Sequence, residues 1–181
     1  MSRFVAFLRA INVGGHTVKM EELRKIFESL GVRGVETFIA SGNVIFESST
    51  RRGEPLRKKI EMTLRTELGY EVATFLRSDA ELKGMGEYQP FAASQFRAPV
   101  STLFVALLSE ELRDDAKRKL INHGGAEDEF HVHSREIYWL CHVRANESKF
   151  SGPKLEKTIG LRTTVRNINT IRRLAAKLAA A

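Results

Sequence analysis

Cysteine is nearly absent: Cys141 is the only one in 181 residues. No disulfide can form within the chain, and nothing in its composition asks for an oxidising compartment. No apolar run reaches the length of a membrane span. The first residues, Met1-Ser2-Arg3, lead straight into an apolar strand-like run without a leader-peptide cleavage pattern. The expected location is therefore the cytoplasm, with no membrane partner. Nucleotide fingerprints are missing too: there is no Walker loop, no dinucleotide-binding glycine pattern and no serine in a nucleophile elbow. No cofactor is expected. Of only four prolines, Pro90 and Pro99 fall within residues 79–100, beside Gly84 and Gly86, which marks that stretch as a connector.

What is abundant is positive charge, and it is unevenly placed. Residues 1–148 hold 21 basic and 21 acidic side chains, whereas residues 149–181 hold 8 basic side chains and one acid, Glu156. The whole net charge of +7 thus sits in the last 33 residues. That segment suits an acidic partner, a nucleotide or a nucleic acid. It equally suits a solvated helix face.

Periodicity predicts an α+β protein. Phe4–Leu8 is a compact apolar strand. Met20, Leu23, Ile26, Phe27 and Leu30 share one helical face, ended by Gly31. Strands are expected over 35–40, 43–47 and 72–76. A helix carrying Leu56, Ile60, Leu64 and Leu68, closed by Gly69, lies between the last two. This β-α-β-β-α-β order is that of a ferredoxin-like half. After the connector, with a short helix near 80–85, a second series follows: a strand over 102–108, a helix over 110–121 and a hairpin over 127–133 and 136–141. In the hairpin Val132 faces Ile137 and Phe130 faces Trp139. A short helix over 153–159, a strand over 161–165 and a last helix with Ile168, Ile171, Leu174 and Leu178 on one face complete the chain. The expected organisation is a ferredoxin-like half over 1–78, a connector over 79–100, and a loosely similar α+β half over 101–181 without a clear residue-level repeat. In the first strand Phe4, Ala6 and Leu8 oppose Val5 and Phe7. Both faces are apolar, so both should be covered, one by helices, the other by the second half or another subunit.

Several stretches are similar to a known family: Phe7-Leu8-Arg9-Ala10-Ile11-Asn12-Val13-Gly14-Gly15, Met20 with Leu23, Ser41-Gly42-Asn43-Val44-Ile45-Phe46, Pro90-Phe91, Ser148-Lys149-Phe150, and Thr164-Val165-Arg166-Asn167-Ile168-Asn169-Thr170. Together they resemble the domain-of-unknown-function 1697 family across nearly the whole chain. Ile168 departs from the aromatic residue often found there. The resemblance implies ferredoxin-like α+β halves in one compact body and no established activity.

The residues themselves point to one loop end. In a ferredoxin-like half the loop leaving strand one and the turn entering strand three lie at the same end of the sheet. Arg9, Asn12, Gly14, Gly15 and His16 should therefore meet Ser41, Gly42 and Asn43, with Lys19 opening the first helix. Glycines let backbone N–H groups approach an anion, and Arg9 or Lys19 supplies charge. An arginine at the end of a buried strand wants a partner, and no acid lies between Ala10 and Met20. The plain alternative is that the glycines only make the turn and the asparagines only satisfy backbone groups. An acylphosphatase-like hydrolase, with Lys19 on phosphate and Asn43 orienting water, is a narrower alternative resting on fold analogy. A second cluster combines Thr163, Thr164, Arg166 and Asn167 with Arg172, Arg173 and Lys177. There Asn167 is a helix cap or a ligand contact, and Arg166 either pairs with Glu156 or completes the ligand site. An RNA-recognition motif is excluded, because strand three lacks alternating aromatics and the sheet is covered. His131, His133 and Glu129 share a strand face that could hold a metal, but a solvated face is the simpler reading and no metal is expected. His142 lies too far along the partner strand to join them easily, and Cys141 reads as a buried structural thiol. The leading expectation is a protein that binds a small phosphate- or carboxylate-bearing ligand. Phosphate-backbone binding through residues 149–181 and a purely structural partner role are the alternatives.

Overall fold

The structure is a computed structural model that describes residues 1–181 apart from 13, 40, 41, 51, 98, 145, 146 and 181. The chain divides into two compact units, Met1–Lys83 with Leu174–Ala181, and Gly84–Arg173. The division falls inside the expected connector, between Lys83 and Gly84, and again within the last helix.

In the first unit the elements run β1 (Ser2–Leu8), α1 (Met20–Ser29), β2 (Arg33–Thr37), β3 (Asn43–Ser48), α2 (Gly53–Leu68) and β4 (Thr74–Ser78). The strands form one antiparallel sheet in the order β2-β3-β1-β4. α1 and α2 place Leu23, Ile26, Phe27, Leu56, Ile60 and Leu64 against Phe4, Ala6, Leu8, Val44 and Phe46. The helix ends follow local chemistry. Gly69 takes a left-handed φ of 80° and its N–H bonds the Arg65 carbonyl, a conformation that glycine adopts without steric cost. β2 starts and ends earlier than periodicity suggests. Its register shifts between Arg33 and Glu36, and Ile39 leaves the extended region at φ 60°.

The second unit repeats this order: α3 (Asp79–Glu87) leads into it, followed by β5 (Thr102–Leu107), α4 (Asp114–Asn122), β6 (Asp128–His133), β7 (Glu136–Cys141), α5 (Gly152–Ile159), β8 (Thr164–Asn167) and α6 (Ile168–Ala179). Its sheet order, β6-β7-β5-β8, is the counterpart of the first. The hairpin register is as the apolar alternation requires, with Val132 opposite Ile137 and Phe130 opposite Trp139. α4 begins later than expected, since Arg113 is still extended.

Superposing the two registers reveals a repeat at residue level that the sequence hides. Val5 of β1 pairs with Arg77 of β4, and Val105 of β5 pairs with Arg166 of β8. Arg77 and Arg166 are both buried. Each donates from Nη1 to the carbonyl of the preceding residue, Leu76 or Val165, at 2.9 Å. Both sit on the sheet face opposite the helices, alongside buried Val5, Phe7 and Phe75 in one sheet and Val105, Leu107 and Leu140 in the other. Side chains on both faces of each sheet are buried.

Candidate functional site

Antiparallel pairing of β1 with β3 sets Phe7 opposite Asn43, and the Leu8 N–H bonds the Gly42 carbonyl at 2.8 Å. The loop after β1 and the turn before β3 therefore meet at one end of the first sheet. The contact is tight: a Cβ on Gly42, whose φ is 77°, would lie 2.9 Å from Ile11 Cγ2 and 3.2 Å from Leu8 Cβ. Ser41, expected to contribute here, lies outside the described residues, as does Val13.

The loop itself is fastened at several points. The Asn12 side-chain oxygen accepts the Val18 N–H at 2.8 Å. The Tyr70 hydroxyl donates to the Ile11 carbonyl at 2.8 Å, and the His16 ring stacks on Tyr70 with centroids 3.9 Å apart. Burial pushes the Tyr70 phenol up, with a smaller push from Glu22, which keeps it the donor of that bond. Between these fastenings Gly14 and Gly15 are exposed at φ 72° and 87°, with nothing within 4 Å of an added Cβ. Lys19 is exposed where α1 begins and makes no side-chain cap.

The other members of the expected site are committed elsewhere. Asn43 is fully buried and its amide donates to the Phe38 carbonyl at 2.9 Å. Arg9 is half-buried, its N–H bonds the Ala73 carbonyl, and it is not free of partners within the chain. Arg9 is therefore not a buried charge in want of an anion. Arg166 belongs to the second unit, where Nη1 also donates to Thr164 Oγ1 at 2.7 Å and burial pulls its pKa down to about 10. The Glu156 carboxylate accepts the Thr163 N–H. Asn167 accepts the Asn169 N–H at 2.8 Å, the geometry of a cap at the start of α6. A cleft of about 410 Å³ also borders Lys19, but Glu21, Glu22 and Glu67 outnumber Lys19 and Lys25 along its wall, so its charge balance disfavours an anion.

The basic C-terminal segment is not one uniform surface. Arg166 is buried, Arg172 Nε donates to the Gly86 carbonyl at 3.1 Å and Lys177 pairs with Glu36 at 2.7 Å. Lys149, Lys157 and Arg173 are exposed.

The histidines of β6 were expected on a solvated face; His133 is exposed and His131 half-buried, and Tyr88 stacks on His133 at 4.1 Å with its hydroxyl 2.8 Å from His131 Nε2. His142, expected to be out of reach of Glu129, lies 2.6 Å from its Oε1. Leu140 stands opposite Glu129, and a long carboxylate side chain reaches the diagonal neighbour two residues on. That diagonal was the signal available in the sequence. Among the described residues no group of three metal-ligating side chains is assembled. Cys141 is buried, donates to the Val143 carbonyl, and burial pushes its thiol up, as a structural thiol requires.

Fold and site define an α+β protein of two four-stranded antiparallel sheets, with a tethered glycine turn at one sheet end. The family model for proteins of unknown function DUF1697 matches residues 1–138, and the chain belongs to that family. Its fold is similar to the solved structure of a conserved bacterial protein from Streptococcus pneumoniae. The TM-score is 0.71 at 23% identity, and the match covers 97% of each chain. No curated protein matches it in sequence. No helix among the described residues is long and apolar enough to cross a membrane.

Proposed function

We propose that the protein binds a small phosphate- or carboxylate-bearing ligand at the Gly14–Gly15 turn, through backbone N–H groups assisted by Lys19. One observation carries this reading: the turn is fastened on both flanks by Asn12, Tyr70 and His16, yet its two glycines stay exposed and unobstructed. Preorganisation of this kind lowers the ordering cost of binding, and successive N–H groups in left-handed backbone suit an anion. Glu21 and Glu22 occupy the first turn of α1, so the turn rather than the helix terminus supplies the donors. Asn12 and Asn43 are framework residues in this reading. The hydrolase alternative loses support, because the Asn43 side chain is fully buried with its amide on the Phe38 carbonyl.

Titrating 15N-labelled protein with inorganic phosphate tests it. The Gly14 and Gly15 amide signals should shift saturably, and Lys19→Ala should weaken binding by about tenfold, as loss of a charged hydrogen-bond partner implies. Charge reversal at Arg172, Arg173 and Lys177 should leave binding unchanged. Shifts confined to the C-terminal segment would favour the phosphate-backbone alternative instead.

A further inference from the structure

We infer that Ser101 of the second unit is an activated nucleophile, with His142 as its general base and Glu129 positioning that base, for acyl transfer from small activated esters. The arrangement follows from strand register. Thr102 pairs with Cys141 across β5 and β7, which sets Ser101 beside His142 at the end of the ladder. Glu129 pairs with Leu140 across β6 and β7, so its carboxylate reaches His142 diagonally from the other side. Three strand ends thus bring a hydroxyl, an imidazole and a carboxylate into one row.

The distances are those of a working relay. Ser101 Oγ lies 3.0 Å from His142 Nδ1, and His142 Nε2 lies 2.6 Å from Glu129 Oε1. The second carboxylate oxygen accepts from Gln95 Nε2 at 2.8 Å, and Gln95 Oε1 accepts the Ala92 N–H at 2.8 Å. The His142 side chain is 1% exposed, so its ring is held from every side. A carboxylate only accepts, which assigns the proton to Nε2 and leaves the Nδ1 lone pair facing the serine hydroxyl. Ser101 Oγ accepts the Arg97 N–H at 2.7 Å and keeps one lone pair for an electrophile. Ser101 is itself part-exposed. A nucleophile within reach of a base that a third group orients is the signature of covalent catalysis, whichever ring nitrogen faces the nucleophile.

In the step, Ser101 Oγ bonds to the ester carbonyl carbon while its proton passes to His142 Nδ1. The carbon–oxygen bond to the leaving alcohol breaks, and that alcohol takes the proton from His142. Water then adds to the acyl-serine by the same route, releasing the acid and restoring Ser101.

Full-length protein is treated with an alkyl fluorophosphonate, and the adduct is mapped by peptide mass. The expected result is one adduct, on Ser101, formed at a rate that rises with pH to a plateau, as base-assisted attack requires. His142→Gln should slow labelling about 100-fold or more, the usual contribution of a general base. Glu129→Gln should slow it less and alter the shape of the pH profile, which loss of a merely structural contact would leave as it is. p-Nitrophenyl acetate should give acyl-Ser101 in the unmodified protein and none in Ser101→Ala. Absence of label on Ser101 would overturn the assignment. So would a rate in the unmodified protein that climbs with hydroxide without a plateau, since a bare serine behaves that way. That profile needs no variant, so the test survives if His142→Gln fails to fold.

Discussion

Gly42 shows how one residue joins two loops. Its positive φ and the 2.9 Å approach to Ile11 leave no room for a methyl group. Gly42→Ala should destabilise the protein by about 2 kcal/mol or more, from left-handed strain plus overpacking, read as a lower urea midpoint. In the second unit the single tryptophan donates from Nε1 to Asp128 Oδ1 at 2.6 Å, and Ser148 Oγ donates to the same carboxylate. Asp128→Ala would strand a buried indole N–H at a cost of about 1–3 kcal/mol, and Trp139 fluorescence would report the change. His131 provides a pH signature. Burial, and then the neighbouring His133, hold its pKa below the ordinary 6.5, so the folded state prefers the neutral ring. The unfolded chain takes up the proton first. Stability is therefore intact above pH 6.5 and is lost as pH falls through the lower folded value. His131→Gln should flatten that acid limb, measured as the difference in urea midpoint between pH 8 and pH 5.5.

Among elements, α6, like α3, is divided between the two units. Its last turns are tied to the first sheet: Arg3 Nη1 donates to the Leu178 carbonyl at 2.7 Å and Lys177 pairs with Glu36. Removing Leu174–Ala181 should speed amide exchange in β1 and β3 and leave β5 and β7 protected, because Arg3 and Glu36, which hold these turns, belong to the first unit. The β6–β7 hairpin illustrates what pattern reading achieves. Alternation alone identified the pairs Phe130–Trp139 and Val132–Ile137, since a slip of one residue would turn the apolar face outward. The start of α4 and the end of β2 were not legible. They depend on the backbone at Arg113 and Ile39, where propensity is weak against local geometry.

For the whole molecule, the charge of +7 invites a nucleic-acid reading that the placement of the charges weakens. A nonspecific DNA duplex should bind only at low salt and be lost by physiological ionic strength, as followed by fluorescence anisotropy, since Arg166 is buried, Arg172 is bonded to Gly86 and Lys177 is paired with Glu36. The sequence by itself determined the α+β class, the repeated element order, the apolar character of both sheet faces and the meeting of two loops at one sheet end. Each follows from side-chain period and the antiparallel rule, which operate over a few residues. Tertiary structure alone decided that Arg77 and Arg166 are buried at matching positions and that Asn43 is consumed by its own turn. It also decided that Ser101 joins His142 and Glu129 in one row. Those outcomes depend on which strands lie side by side and on how far a side chain reaches across them, and separation along the chain carries no record of either.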